Sequence, residues 1–428
     1  MPLDPLHARV LDAVAAETQA MLDLLQTLVR TPSVGGTRGE SDLQQRLAQD
    51  FAAFGLETDL WPLPLAELAA EPDFPGVEVA RETAFGLVGR LRGRGEGPTL
   101  LLNGHVDVVP PGDLAAWTGG DPFAGTIAQG RLFGRGACDM KGGLVAAIWA
   151  VRALQRSGVH LDGDVLLASV EGEEDGGLGS YALLRRGWRG DACVIPEPTG
   201  LDLVPANAGA LTFRLRVRGH ATHASRRTEG QSALGHFWPV WDGLRQLEAE
   251  RNAEVDPLMR RWPMPYAVSI GTVRCGDWAS SVPDLLVAEG RLGVALDESP
   301  AQARSAFESA VARVSDADAW LRDHPVEVEW WGGQFASGRL PPDSDLLERM
   351  RHAHAVASAA AGSEPEVWGA PYGSDLRLLS GLGGIPTLHY GPGDAGLAHG
   401  PNESVPLAEV EIAARALAVL AVELTSGE

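Results

Sequence analysis

Two kinds of strand-like segment occur in this chain, and a single sheet cannot accommodate both. Thr99-Leu-Leu-Leu102 is apolar without interruption, so it suits a strand buried on both faces, whereas Leu211 to Arg218 reads Leu-Thr-Phe-Arg-Leu-Arg-Val-Arg, apolar residues alternating with arginine. The first pattern calls for cover on both sides of a sheet, and the second for a sheet with one wet face. The chain therefore needs two differently built domains, and 428 residues is length enough for both.

The first pattern belongs to a β/α alternation. Apolar periodicity predicts helices over Leu6 to Arg30, Ser41 to Phe54 and Gly143 to Ser157. Between and beyond them, strands are predicted over Ala84 to Leu91, Pro98 to Asn103, Asp164 to Val170 and Ala192 to Ile195. This is the α/β class, a mostly parallel mixed sheet flanked by helices. From Gly209 the predicted order becomes strand, helix (Gln231 to Ala249), two strands (near Tyr266 to Val273 and Leu285 to Leu296), helix (Ala301 to Leu321) and strand (Val326 to Trp331). That is the ferredoxin-like α+β arrangement. The β/α alternation resumes at Gly333, so the expected domains are 1–208 with 333–428, and an inserted 209–332.

Composition narrows the function classes. A formal charge of −22 disfavours partners read through phosphate, which excludes nucleic acid and anionic membrane surfaces from the expectation. Cys138, Cys193 and Cys275 are widely spaced with no C-x-x-C pair, as suits a reducing cytosol. The first twenty residues carry Asp4, Asp12 and Glu17 and lack a signal-like apolar core, and no apolar run approaches the roughly 18 residues of a membrane span. A cytoplasmic, soluble protein is expected. Arginine supplies every basic residue but one, and the exception, Lys141, marks a place where a compact ammonium matters.

Metal-ligand residue types gather at the ends of the predicted strands. His105 and Asp107 follow Pro98 to Asn103 as H-x-D, and Asp139 lies in Gly134-Arg-Gly-Ala-Cys-Asp-Met-Lys-Gly-Gly143. Glu171, Glu173 and Glu174 follow Asp164 to Val170, Glu197 follows Ala192 to Ile195, and His399 follows a predicted strand Thr387 to Tyr390. In an open α/β sheet the loops at the strands' carboxyl ends converge on one crevice. Two imidazoles and three carboxylates suit a pair of divalent ions, whose four charges the carboxylates and one hydroxide would balance. Asp107 is placed to accept the remaining ring N–H of His105, and Glu173 is left over beside a ligand, as a base would be.

These strings, with Gly104-His-Val-Asp-Val-Val-Pro110, Trp117 with Asp121-Pro-Phe123, Glu197-Pro-Thr199 and His399-Gly-Pro-Asn-Glu403, resemble those of the dinuclear zinc amidohydrolases, the family of acetylornithine deacetylase, succinyl-diaminopimelate desuccinylase, aminoacylase and glutamate carboxypeptidase. The resemblance implies a zinc-peptidase-like catalytic domain whose inserted domain serves as lid and dimerisation surface. It further implies that Asp139 bridges two metals, with His105 and Glu197 completing one site and Glu174 and His399 the other. Glu173 would be the general base, and the peptide after Asp139 would be cis. In Gly219-His-Ala-Thr-His-Ala-Ser225, His223 would reach the partner subunit's site and stabilise the oxyanion, and Arg377 and Arg291 would bind substrate. Ser280, three residues before Pro283, stands where the family often has Asn. The metal expected is zinc, with cobalt or manganese compatible with the same ligands. The activity so implied is hydrolysis of an N-acyl amino acid or related small N-acyl compound by a homodimer. A dipeptidase or carboxypeptidase is the alternative, and a non-catalytic binding relative is disfavoured by the intact base and ligand set.

Overall fold

A computed structural model describes residues 3–359, 362 and 364–426. The chain divides into two compact units, Met1–Ala206 with Arg339–Trp368 and Asp375–Glu428, and Asn207–Gly338 with Gly369–Ser374.

The first unit is built on a mixed sheet whose centre is parallel. Strand Leu100–His105 pairs in parallel with Val165–Val170 on one side and Ala192–Ile195 on the other, and Ala192–Ile195 pairs in parallel with Thr387–His389. Antiparallel pairings flank this centre, Phe85–Leu91 against Val165–Val170 and Glu57–Pro62 against Phe85–Leu91 on one side, and Leu203–Asn207 against Thr387–His389 on the other. Successive side chains of the same strands go to different cores. Leu100, Leu102, Val165, Leu167 and Val194 join the helices Pro5–Ala16, Gly142–Ser157 and Leu407–Thr425, while Leu101, Leu166, Ala168, Cys193 and Ile195 join the helix Leu178–Arg186. This two-faced burial is the physical reason for an uninterrupted apolar strand.

The second unit has an antiparallel four-stranded sheet in the order Val268–Cys275, Leu285–Val294, Gly209–Arg218, Glu327–Phe335. Leu211, Phe213, Leu215 and Val217 pack with residues of the helices Ala233–Arg251 and Pro300–Ala317. The intervening arginines face water and pair across the strands, Arg214 with Glu289 at 2.7 Å and Glu329 at 3.0 Å, and Arg218 with Glu327 at 2.8 Å. The chain order of these elements is the ferredoxin-like one.

Two local expectations change. The helix predicted over Leu6 to Arg30 is two helices, Pro5–Ala16 and Thr18–Val29, parted at Glu17. The break leaves the Glu17 carboxylate paired with Arg152 and Arg156 while Val10, Val14, Met21, Leu25 and Leu28 all stay in the core. His105 is the last residue of its strand rather than a residue beyond it, because pairing with Val170 extends the strand to that point.

Candidate active site

The strand ends place the polar residues where the topology requires. Leu100–His105 ends on His105, Val165–Val170 leads into Glu171 to Glu174, and Ala192–Ile195 leads into Pro196-Glu197. Asp139 lies just ahead of the helix Gly142–Ser157, and its peptide bond to Met140 is cis. Gly143 seats that helix against the Glu197 loop, since a Cβ there would be 1.7 Å from the Pro196 carbonyl oxygen. His399 is held in the left-handed region at φ 61°, its carbonyl accepting from Arg135 Nη2 at 3.1 Å.

The five expected ligands meet. His105 Nε2 is 3.2 Å from Asp139 Oδ1 and 3.9 Å from Glu197 Oε1, while His399 Nε2 is 3.4 Å from Asp139 Oδ2 and 3.0 Å from Glu174 Oε2. Asp139 thus offers one oxygen to each histidine. Among the described residues, His105, Asp139 and Glu174 form a group whose ligand atoms all lie within 4.8 Å of one another, a possible metal site. Imidazole nitrogens and carboxylate oxygens at these separations are the donors a divalent ion of about 2 Å bond length takes.

The electrostatics fit a cation as well. Burial raises the Glu197 carboxyl well above its ordinary range, reinforced by the charge of Asp139. Burial works against charge on His105 too, yet Asp139, Asp107, Glu197 and Glu173 together hold its imidazole well above its usual value. Hydrogen bonds to Asp139 and Glu174 push His399 up to about 11. Carboxyls raised by burial and imidazoles raised by the carboxylates around them mark a cluster crowded with negative charge, which divalent cations would neutralise.

Asp107 does something other than expected. The Nδ1 of His105 donates to the main-chain carbonyl of Asp107 at 2.9 Å, while the carboxylate stands 3.7 Å away. That carboxylate instead accepts the amide N–H groups of Glu173 at 3.3 Å and Glu174 at 3.1 Å. The turn bearing the base and a ligand therefore hangs on Asp107, and amide donors converging on both oxygens are the reason the imidazole takes the carbonyl. Glu173 is 8% exposed, and burial first, then the charge of Asp375, pushes its carboxyl well above the ordinary range.

Four residues without an assigned role in the sequence complete the surroundings. Glu403 accepts from the amides of Cys138 at 2.9 Å and Asp139 at 3.1 Å through Oε1 and from Arg135 Nη1 at 2.6 Å through Oε2. Arg135 and Glu403 are both 1% exposed, and both lie inside the glycine-rich and H-G-P-N-E strings, which was the available signal. Lys141 is fully buried and donates to the carbonyls of Leu28 at 2.9 Å and Thr31 at 3.0 Å, tying the Asp139 loop to the end of the helix Thr18–Val29. The fourth, Asp375, is buried in the first unit near Arg377. Arg377, expected on substrate, is 5% exposed, and its Nη2 donates to the Gly176 carbonyl at 2.6 Å.

His223 and Arg291 belong to the second unit. His223 is exposed, and its Nδ1 accepts the Ser225 amide N–H at 3.2 Å, so Nε2 carries the ring proton in the neutral form. Arg291 lies on Leu285–Val294 opposite Thr212 and Ser269, its guanidinium 5.9 Å from the Phe335 ring centre.

Comparison with known proteins identifies the family. The chain is 26% identical over 416 residues to N-formyl-4-amino-5-aminomethyl-2-methylpyrimidine deformylase of Halalkalibacterium halodurans, covering 92% of this chain and 91% of that one. It is 29% identical over 415 residues to succinyl-diaminopimelate desuccinylase of Gluconacetobacter diazotrophicus, covering 93% and 95%. A dipeptidase structure from Saccharomyces cerevisiae superposes with a TM-score of 0.75 at 16% identity, covering 99% of each chain, a likeness of fold. Residues 101–423 match Peptidase family M20/M25/M40, and the chain belongs to that family of hydrolases acting on amide C–N bonds.

Proposed function

We propose that the protein is a cytoplasmic, homodimeric, two-metal deacylase that splits the amide bond of N-acyl amino acids or related small N-acyl compounds, with 209–332 as its lid and dimerisation domain. Glu173 carries the reading. Its buried carboxyl stands beside the ligand cluster without belonging to the His105, Asp139 and Glu174 group, and a purely binding protein has no use for such a base. His105 and Glu197 would hold one ion and Glu174 and His399 the other, Asp139 serving both, with zinc favoured by the mixed donors. Two such ions supply positive charge that acidifies a water and polarises the scissile carbonyl.

The chain's own residues then do the rest. Glu173 takes the proton of the attacking water and returns it to the departing amine. Asp107 fixes the Glu173 amide and thereby the reach of that carboxylate. The Nε2–H of His223 is a donor suited to the developing oxyanion, and Arg291 is proposed as a substrate contact. Full-length similarity to a deformylase and a desuccinylase supports a deacylase over a peptidase of the same family.

The test is amine release from N-formyl, N-acetyl and N-succinyl amino acids and from dipeptides, with zinc-loaded wild type beside Glu173→Gln. The expected result is turnover of acyl compounds, reduced by about a thousandfold in the variant, with two metals per chain retained in both. Full activity of Glu173→Gln refutes the assignment of the base, and turnover confined to dipeptides moves the protein to the peptidases.

A further inference from the structure

The base and one proposed ligand share a short turn, Gly172 to Gly177, between the strand Val165–Val170 and the helix Leu178–Arg186. Glycines in left-handed conformation close it, Gly172 at φ 75° and Gly177 at φ 85°, and a buried arginine abuts each. A Cβ on Gly172 would lie 3.2 Å from the guanidinium carbon of Arg81. One on Gly177 would lie 2.5 Å from Asp375 Oδ1 and 3.4 Å from Arg377 Nη2.

The side chain of Arg81 is 3% exposed and its guanidinium is shared between two carboxylates. Nη1 and Nη2 donate to the two oxygens of Asp175 at 2.9 and 2.8 Å, and Nε and Nη2 to the two oxygens of Glu40 at 3.1 and 3.0 Å. Asp175 also accepts the amides of Glu78 and Val79, each at 3.0 Å, and Glu40 accepts that of Gly36 at 2.6 Å. On the other side of the turn, Arg377 grips the Gly176 carbonyl at 2.6 Å, with Asp375 Oδ1 3.9 Å from its Nη1.

We propose that Arg81 and Arg377 are positioning residues that clamp the Gly172–Gly177 turn from its two sides and so set the Glu173 carboxylate, and that neither is a substrate contact. The proposal rests on the reading of Glu173 as the base, and it deepens the substrate class: an amine product needs no carboxylate for Arg377 to hold. The geometry demands a planar fork at Arg81, since an ammonium cannot present parallel N–H pairs to two carboxylates. The Arg377 side chain is only 3% exposed and already directs Nη2 to the Gly176 carbonyl, which leaves a substrate carboxylate little access to it.

The test compares wild type, Arg81→Lys, Arg377→Lys and Arg377→Met, all full-length and zinc-loaded, on N-formyl-leucine and on its decarboxylated analogue N-formyl-3-methylbutylamine. The lysine variants keep the buried charge where methionine risks misfolding. The expected result is a kcat lower by about a hundredfold on both substrates alike, with KM within about twofold, the loss of an interaction that acts only through the reacting geometry. Hydrogen exchange read by mass spectrometry on the metal-free proteins should quicken by about tenfold or more at the amides of 172–177, with Val165–Val170 unchanged. A rise in KM confined to the carboxylate-bearing substrate, or unchanged exchange in the turn, overturns the proposal. If wild type hydrolyses neither amide, the deacylase reading fails on its own, and the exchange measurement decides the clamp.

Discussion

Glu171 shows at the scale of one side chain what burial alone does to an acid. It sits at the end of the same strand as the proposed base, accepts the Phe85 amide at 3.1 Å and the Ser41 hydroxyl at 3.2 Å, and is fully buried. Burial first, then the charges of Glu40 and Asp107, push its carboxyl up to about 8 from 4.5. The folded state thus holds a proton that the unfolded state has released above pH 4.5, so this group's stabilisation is complete below that pH and is lost as pH rises through about 8. Glu171→Gln, which keeps the shape and the acceptor for Phe85, should match wild type closely near pH 4.5 and exceed it by about 4 kcal/mol at pH 8.5. Urea titrations at the two pH values check this, and parity at both would show that Glu171 ionises normally. The candidate ligands themselves were legible in sequence because their residue types stand at strand ends. The partner of the His105 ring was not, because the amides that occupy Asp107 belong to Glu173 and Glu174, 66 and 67 residues further along.

Among the secondary-structure elements, the helix Gly142–Ser157 bears most directly on the site, since it begins immediately after the Asp139–Met140 bond and twelve of its residues are buried. Its first turn touches the Glu197 loop through Gly143, where the missing Cβ would overlap the Pro196 carbonyl. Gly143→Ala should therefore force helix and loop apart, lower stability by about 3 kcal/mol, and weaken metal binding through Glu197. Thermal melts with and without zinc check both, and a variant with wild-type melting would remove this contact from the account. Strands of both kinds were readable in the sequence because burial on one or two faces writes itself into every second residue, as in Leu211 to Arg218. The break at Glu17 was not, for its cause is a pairing with Arg152 and Arg156 on another helix, while the apolar period runs on through it. Arg81 and Arg377 were hidden similarly, one among 34 arginines, the other recognised as an arginine but not for its carbonyl partner.

For the whole molecule, all five proposed ligands lie in one compact unit and none in the other. Metal should thus stabilise one part of the chain by mass action and leave the rest alone, by about 2.7 kcal/mol at a hundredfold excess over the dissociation constant. Calorimetry should resolve a transition that moves upward with zinc and downward with chelator, and hydrogen exchange should assign it to the first unit. Protection gained equally in Leu211–Arg218 would refute ligands confined to that unit. Among the described residues no helix is long and apolar enough to cross a membrane. The arginine-rich composition has one more effect, through Lys141. The only ε-amine in the sequence is sealed inside the fold with two carbonyls, so the folded surface offers acylating reagents no lysine at all. A catalyst of acyl chemistry built this way is shielded from being acylated on its own side-chain amines, and the tagging of that one buried lysine becomes a count of how often the chain opens.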